Sequence, residues 1–186
     1  MTRPPHQRSP QQRATQRRTT LLQAAVELLT EGGFPALTHR AVAQRAGLPL
    51  AATTYYFTNR DELLAQAFSH LVDQELATLT HHGLPALPDQ LAHTDRLHQL
   101  GLWELYVHAG RHPRLQEIAR RWSDGCLALV ADHLALPPHH PRTRLLYTTL
   151  YALWLEHLVE QRPLDELRTL LTPAAENASH PADPAT

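Results

Sequence analysis

The residues best suited to chemistry lie in one run, LTHRAVAQRAGLPLAATTYYFTNRDELL, residues 37–64. It gathers hydroxyls, an imidazole, two adjacent tyrosines and three arginines. Such groups donate hydrogen bonds to phosphates and base edges, which is recognition chemistry rather than bond-making. The other chemistry-bearing type is histidine, with 14 copies. His108 and His112 stand four apart, but Gly110 and Pro113 interrupt the helix that would align them, and no HExxH motif occurs. His81-His82 and His139-His140 flank loops, where solvated histidine suffices. The single cysteine, Cys126, excludes an internal disulfide and a cysteine-based zinc site. No GxSxG, phosphate-binding loop or dinucleotide fingerprint is present, so no enzyme and no cofactor are expected.

Charge locates the recognition chemistry. The 17 basic residues nearly cancel the 18 acids, for a formal charge of −1. Residues 1–60 carry eight arginines against Glu27 and Glu31, a net of +6, while residues 61–186 carry nine arginines against 16 acids, a net of −7. A basic amino-terminal third on an acidic remainder suggests that only the first part meets a polyanion.

The elements holding these residues are helices. Leu (34) and Ala (25) dominate, while Val (6) and Ile (1) are scarce, which favours an all-α fold. Residues 1–13, rich in Pro, Gln and Arg, read as a disordered basic tail. Helix one is predicted over 14–31, ending at Gly32-Gly33. Short helices at 38–45 and 49–55 flank a turn at Gly47, and Thr38 is a good N-cap. Asn59-Arg60-Asp61-Glu62 has capping-box spacing and opens a helix to about His82. After a loop at 83–88, helices are predicted over 89–109, 113–135, 141–161 and 164–172, eight in all, with a disordered tail over 174–186. No apolar run approaches the roughly 18 residues of a membrane span, and the amino terminus lacks a signal peptide's apolar core. A cytoplasmic protein that does not engage membranes is expected.

Two short helices around a glycine turn, behind a longer helix, form a helix-turn-helix. Here the sequence resembles the TetR family of transcriptional regulators. The features carrying the resemblance are Thr38, Val42-Ala43, Ala46-Gly47, Tyr55-Tyr56-Phe57, Arg60 and Leu63, in order across 37–64. With helix one the resemblance covers about 14–68. It implies a DNA-binding domain over 14–58 and a helical ligand-binding and dimerisation domain over 59–173. Family members often carry Ser where this chain has Pro49, Gly at Ala51 and Tyr at Thr54.

The resemblance assigns roles. Thr38 would offer its hydroxyl and nearby free N–H groups to a phosphate, and Arg60 would touch backbone phosphate. Pro49 opens the recognition helix, where Leu50, Ala51 and Ala52 offer only apolar contacts, for example to thymine methyls. The polar base readers are then Thr53 or Thr54, Tyr55, and His39 or Arg40. At least one hydroxyl of Tyr55 and Tyr56 should reach DNA, and Phe57 should be core. Arg3, Arg8 and Arg13 read as solvated tail, with entry into a minor groove as the alternative. In the body, Trp103, Tyr106, Trp122, Cys126, Tyr151 and Trp154 would line a pocket for a small-molecule effector. Residues 142–172 would form a homodimer interface. The expected function is a ligand-responsive repressor of a palindromic operator in double-stranded DNA. The alternatives are a histidine-based metal sensor and a helical interaction module without DNA binding.

Overall fold

The computed structural model describes residues 9–172. Among these there are nine α-helices, one 3-10 turn and no strand. The helices are α1 (Pro10–Ala36), α2 (His39–Arg45), α3 (Leu50–Tyr56), α4 (Arg60–His82), α5 (Leu87–His93), α6 (Arg96–Ala109), α7 (Pro113–Leu134), α8 (Pro141–Glu160) and α9 (Asp165–Leu171). Residues 1–8 and 173–186, which hold most of both expected tails, lie outside the described residues.

The first helix corrects the expected start at 14. Ser9-Pro10-Gln11-Gln12 is itself a capping box: the Gln12 N–H donates to Ser9 Oγ, and the Ser9 N–H donates to Gln12 Oε1 at 2.8 Å. Proline fits the first helical position because its missing N–H would have had no partner there. Residues 10–13 are therefore helical. At the other end, Gly33 takes φ 63° and ψ −164°, a backbone region essentially reserved for glycine. The chain breaks there and makes one further turn through Pro35 and Ala36. Phe34 turns inward and lies beside Phe68 at 5.2 Å and His108 at 3.7 Å between ring centroids.

Two compact units can be distinguished, and they do not follow chain order. One comprises Met1–Thr78 with Thr94–Cys126, the other Leu79–His93 with Leu127–Thr186. In the first unit, α2 packs on the amino-terminal helix and α3 on α2, and α6 lies against α1. The core includes Leu21, Ala25, Leu37, Val42, Phe57, Leu63, Ala67, Phe68, Leu71, Leu105 and Leu115, all essentially inaccessible. Arg45 forks from α2 onto Glu31 at 2.6 Å and onto Glu27 at 3.3 Å, tying α2 to α1. In the second unit, α9 packs on α8 and on the 3-10 turn at Leu84–Ala86, with Leu167 and Leu171 buried and Arg168 paired to Asp89 at 2.5 Å.

The helix expected over 89–109 is two helices. Asp95 accepts from the N–H groups of Leu97 (2.8 Å) and His98 (3.3 Å), so it caps a new helix rather than continuing the old one. The loop expected at 83–88 is mostly helical too, since α5 begins at Leu87 and tolerates Pro88 in its first turn.

At Gly33 an added Cβ would stand 2.9 Å from Glu104 Oε2, besides its strained φ. Gly33→Ala should therefore lower unfolding stability by roughly 1–3 kcal/mol. Urea denaturation should show an earlier midpoint with an unchanged slope.

Candidate functional site

The helix-turn-helix is built as its sequence demands. Thr38 Oγ1 accepts from the Ala41 N–H at 3.1 Å and so starts α2. Gly47 takes φ 63° in the turn, and the Leu48 N–H returns to the Ala43 carbonyl at 2.9 Å. Val42 and Ala43 are buried against the core, which braces α2 across α3.

That packing decides which face of α3 looks outward. Pro49, Leu50, Ala51, Thr54 and Tyr55 are exposed, and Tyr55 is 80% accessible. Ala52 is half-buried. Thr53 is completely buried, and its hydroxyl donates to the Leu50 carbonyl at 2.8 Å. Of the two threonines left open as base readers, only Thr54 stands on the outer face. The tyrosines divide likewise. Tyr56 is half-buried and its hydroxyl donates to the Ala14 carbonyl at 3.1 Å, which pins α1 to α3. Tyr55 stacks edge-on against Tyr56, 5.0 Å between centroids, with its own hydroxyl outward.

Thr38 and Arg40 are exposed at the start of α2. His39 is half-buried, and its Nδ1 is enclosed without a hydrogen-bond partner. Arg60, expected to touch backbone phosphate, is exposed at the start of α4 and is also bonded within the chain. Its Nε donates to the Leu37 carbonyl at 2.8 Å and its Nη2 to the Phe34 carbonyl. It satisfies the carbonyls where α1 ends, a demand that sequence spacing does not reveal. Asn59 accepts from the Glu62 N–H at 2.8 Å, while the Glu62 carboxylate turns to the hydroxyl and N–H of Thr58. Those two donors hold the Glu62 carboxyl below its ordinary range. Sequence reasoning missed Arg17 as a candidate contact and placed Arg13 in a loose tail. Both are exposed on the helical start of α1, one turn apart. The Ser9-to-Gln12 cap was the available signal.

The six expected pocket residues fall in both units. In the first, Trp122 is buried, Tyr106 shares a hydrogen bond with Ser123, and burial pushes the Cys126 thiol up to about 12. Trp103 lies 6.3 Å from Tyr106 and lines a hollow of about 310 Å³ with Phe34, Pro35, Leu100, Glu104, Val107 and His108. In the second, Tyr151 lies 5.9 Å from the buried Trp154 and 4.9 Å from Tyr147. Among the described residues, no group of three or more His, Cys, Asp or Glu side chains could hold a metal ion, and none of the helices is long and apolar enough to cross a membrane.

One polar pair in the first unit escaped the sequence reading. Glu75 of α4 and His98 of α6 meet at 2.6 Å, with side chains 24% and 26% exposed. Nothing in their spacing marks them as partners.

Comparison with known proteins identifies the whole. Residues 21–67 match the family described as bacterial regulatory proteins, tetR family, and residues 73–177 match the tetracyclin repressor-like C-terminal domain. The chain belongs to the TetR family. The HTH-type transcriptional regulator BetI of Burkholderia lata is 25% identical over 162 residues, covering 78% of this chain and 84% of BetI. Among solved structures, the regulator SCO7518 of Streptomyces coelicolor A3(2) is 27% identical with a TM-score of 0.70, covering 85% of this chain and 99% of that one. The multidrug binding protein EbrR complexed with ethidium is 28% identical with a TM-score of 0.67, covering 84% and 99%. EbrR has also been solved with proflavin and with malachite green. This TetR-family chain is thus a DNA-binding transcriptional regulator rather than an enzyme, as the sequence resemblance implied.

The Glu75–His98 pair gives the regulator a pH-dependent brace between α4 and α6. The hydrogen-bonded Glu75 raises the His98 pKa above its ordinary value, outweighing burial, with a smaller push from Asp95. A raised pKa in the folded state means the contribution is fully present below the ordinary histidine range. It is lost as pH rises through the raised value. Thermal melts of the wild type and His98→Ala, taken from about pH 5.5 to about pH 8.5, should show a difference that shrinks with rising pH.

Proposed function

We propose that this regulator is a homodimeric repressor that binds a palindromic operator through α3 and is released by a small-molecule effector. The outward face of α3 carries the reading: Leu50, Ala51, Thr54 and Tyr55 share one side of the helix, with Thr38 and Arg40 at the start of α2 beside them in sequence and exposed. Leu50 and Ala51 suit thymine methyls, while Thr54 and Tyr55 are the polar base readers. Thr38, Arg40, Arg13 and Arg17 suit backbone phosphate. Arg60 acts as a positioning residue, holding the ends of α1 and α4 together, and any phosphate contact it makes comes second to that bond.

The head is assigned to residues 14–58 and the regulatory body to 59–173. Dimerisation is assigned to residues 142–172. Leu145, Leu155, Val159 and Leu170 are apolar and exposed there, Leu145 at 68%, and Leu145, Thr148, Ala152, Leu155 and Val159 recur at helical spacing along α8. Two recognition helices in such a dimer would need to stand about 34–36 Å apart to meet successive major grooves. An effector favouring another spacing would shift the population away from the DNA-competent form.

For the effector, the likeness to EbrR suggests aromatic cations. Ethidium, proflavin and malachite green are flat or propeller-shaped delocalised cations, and although aromatic residues make up only 6% of this chain, Trp103, Tyr106, Trp122, Tyr151 and Trp154 of the body are of the type that suits them. Trp103, Tyr106, Trp122 and Cys126 of the first unit are assigned to effector contacts, and Tyr151 and Trp154 of the second unit are kept as separate candidates.

Gel shifts on a fragment of the neighbouring promoter test the DNA assignment. Affinity should fall steeply between low and physiological salt. Tyr55→Ala should change the preferred sequence, whereas buried Thr53→Val should leave that preference unaltered. Arg60→Ala should weaken every site about equally and also lower the melting temperature, because it removes a brace. Absence of saturable binding to any promoter fragment would sink the repressor reading.

A further inference from the structure

The basic surface of the first unit does not end with the head. Residues 61–186 carry a net charge of −7, yet the stretch Leu105–Gln116 holds Arg111, Arg114, His108 and His112 and no acid. It comprises the end of α6, the connection and the start of α7, and residues 110–114 are all exposed. Arg121, further along α7, is committed to Asp73 and Ser69. Among the described residues, no hydrogen bond or ion pair engages the guanidinium of Arg111 or Arg114. Packing brings this basic island to the exit of the recognition helix. Asn59 and Asp61 at the start of α4, and His112, Pro113 and Arg114 at the start of α7, line one open hollow of about 410 Å³. The Glu62 carboxyl, held down first by its Thr58 donors, is also lowered by the Arg114 charge, which places that guanidinium near α4. Helix α3 ends at Tyr56 and α4 starts at Arg60, so the chain allows at most about 14 Å between them. Two carboxylates share the region. Glu62 is spent on Thr58, whereas Asp61 is exposed, lines the hollow and opposes the arginines.

We infer that Arg114, with Arg111 beside it, is a second hold on DNA: it binds the phosphate backbone bordering the half-site that α3 reads, at the hollow between the starts of α4 and α7. This inference rests on the reading of DNA by α3 proposed above and extends the contact surface from the head to the regulatory body. Three observations carry it. The two guanidiniums are exposed and unspent, while Arg45, Arg60 and Arg121 of the same unit are bonded within the chain. They stand in an otherwise acidic body, where nothing internal calls for a basic cluster. The hollow they border opens beside the exit of α3, so its natural occupant is the sugar–phosphate chain next to the groove that α3 enters. Arginine suits that occupant, because its planar fork matches two phosphate oxygens at once. Such a contact positions the protein without reading sequence. Because Arg114 belongs to α7, the body itself would then be tied to DNA.

The test is the salt dependence of binding by the full chain to the neighbouring promoter fragment, followed by fluorescence anisotropy from about 50 to about 200 mM salt. Each phosphate contact contributes about 0.9 to the slope of log affinity against log salt. Arg114→Ala should therefore flatten the slope by about 0.9, so that the affinity lost over this fourfold rise in salt shrinks by about 3.5-fold. Arg111→Ala with Arg114→Ala should flatten it by up to about 1.8. Sequence preference should stay as in the wild type, because no base edge is touched, and so should the melting temperature. Asp61→Asn removes the opposing charge and should strengthen binding to every sequence. Arg120, six residues further along α7 and paired with Glu117 at 3.5 Å, is the control, and Arg120→Ala should leave the slope unchanged. A wild-type slope in Arg114→Ala, or an equal flattening in Arg120→Ala, overturns the second hold and leaves the α3 reading standing. Should Arg114→Ala melt early, Asp61→Asn decides, because a folding defect cannot raise affinity; unchanged affinity there overturns the inference. Absence of saturable binding by wild-type protein to any promoter fragment removes the α3 reading and this inference together.

Discussion

A helix that ends inside a protein leaves carbonyl groups that something must satisfy, and in this regulator that demand organises the first unit. At Gly33 the chain leaves the helical region, and the carbonyls of Phe34 and Leu37 accept from the Arg60 guanidinium. One side chain therefore joins the end of α1 to the beginning of α4. The same break turns Phe34 inward onto Phe68 of α4 and His108 of α6. Because Thr38 starts α2 immediately afterwards, the helix-turn-helix takes its position from this junction.

The same economy governs the arginines. The chain contains no lysine, so each strong cation is a guanidinium, able to make several directed hydrogen bonds at once. Arg45 makes several such bonds to Glu27 and Glu31, Arg60 to two carbonyls, and Arg121 to Asp73 and Ser69, while Arg18 makes a single bond to Gln66. Formal charge in the amino-terminal third consequently overstates what is available to a phosphate. Among the described residues of that third, Arg13, Arg17 and Arg40 are the exposed arginines whose guanidinium groups are bonded to no other side chain or carbonyl. Recognition then leans on the hydroxyls of Thr38, Thr54 and Tyr55 and on the apolar face of Leu50 and Ala51.

The legible features are those set by neighbours in sequence. The caps at Thr38 and Asn59, the turn at Gly47, the inward Phe57 and the limits of α7, α8 and α9 follow from local hydrogen-bonding and periodicity. Ser9 and Asp95 were equally local signals. One starts α1 within a segment whose polar composition suggests a tail, and the other divides a long apolar pattern into α5 and α6. Composition and periodicity average over many residues, whereas a cap is a single side chain that can override them.

By itself, the sequence determined that the protein is all-helical, that it carries a helix-turn-helix near its amino terminus, and that it belongs to the TetR family. Each of these is written in residues a few positions apart. Only the tertiary structure decided which of two adjacent threonines and two adjacent tyrosines faces outward, that Arg60 braces the chain, and that Glu75 meets His98. Neighbouring residues on a helix point about 100° apart, so the packing of α3 against α2 and α1 selects between them. Partners separated by more than twenty residues meet only when their helices pack, and no local pattern records that event.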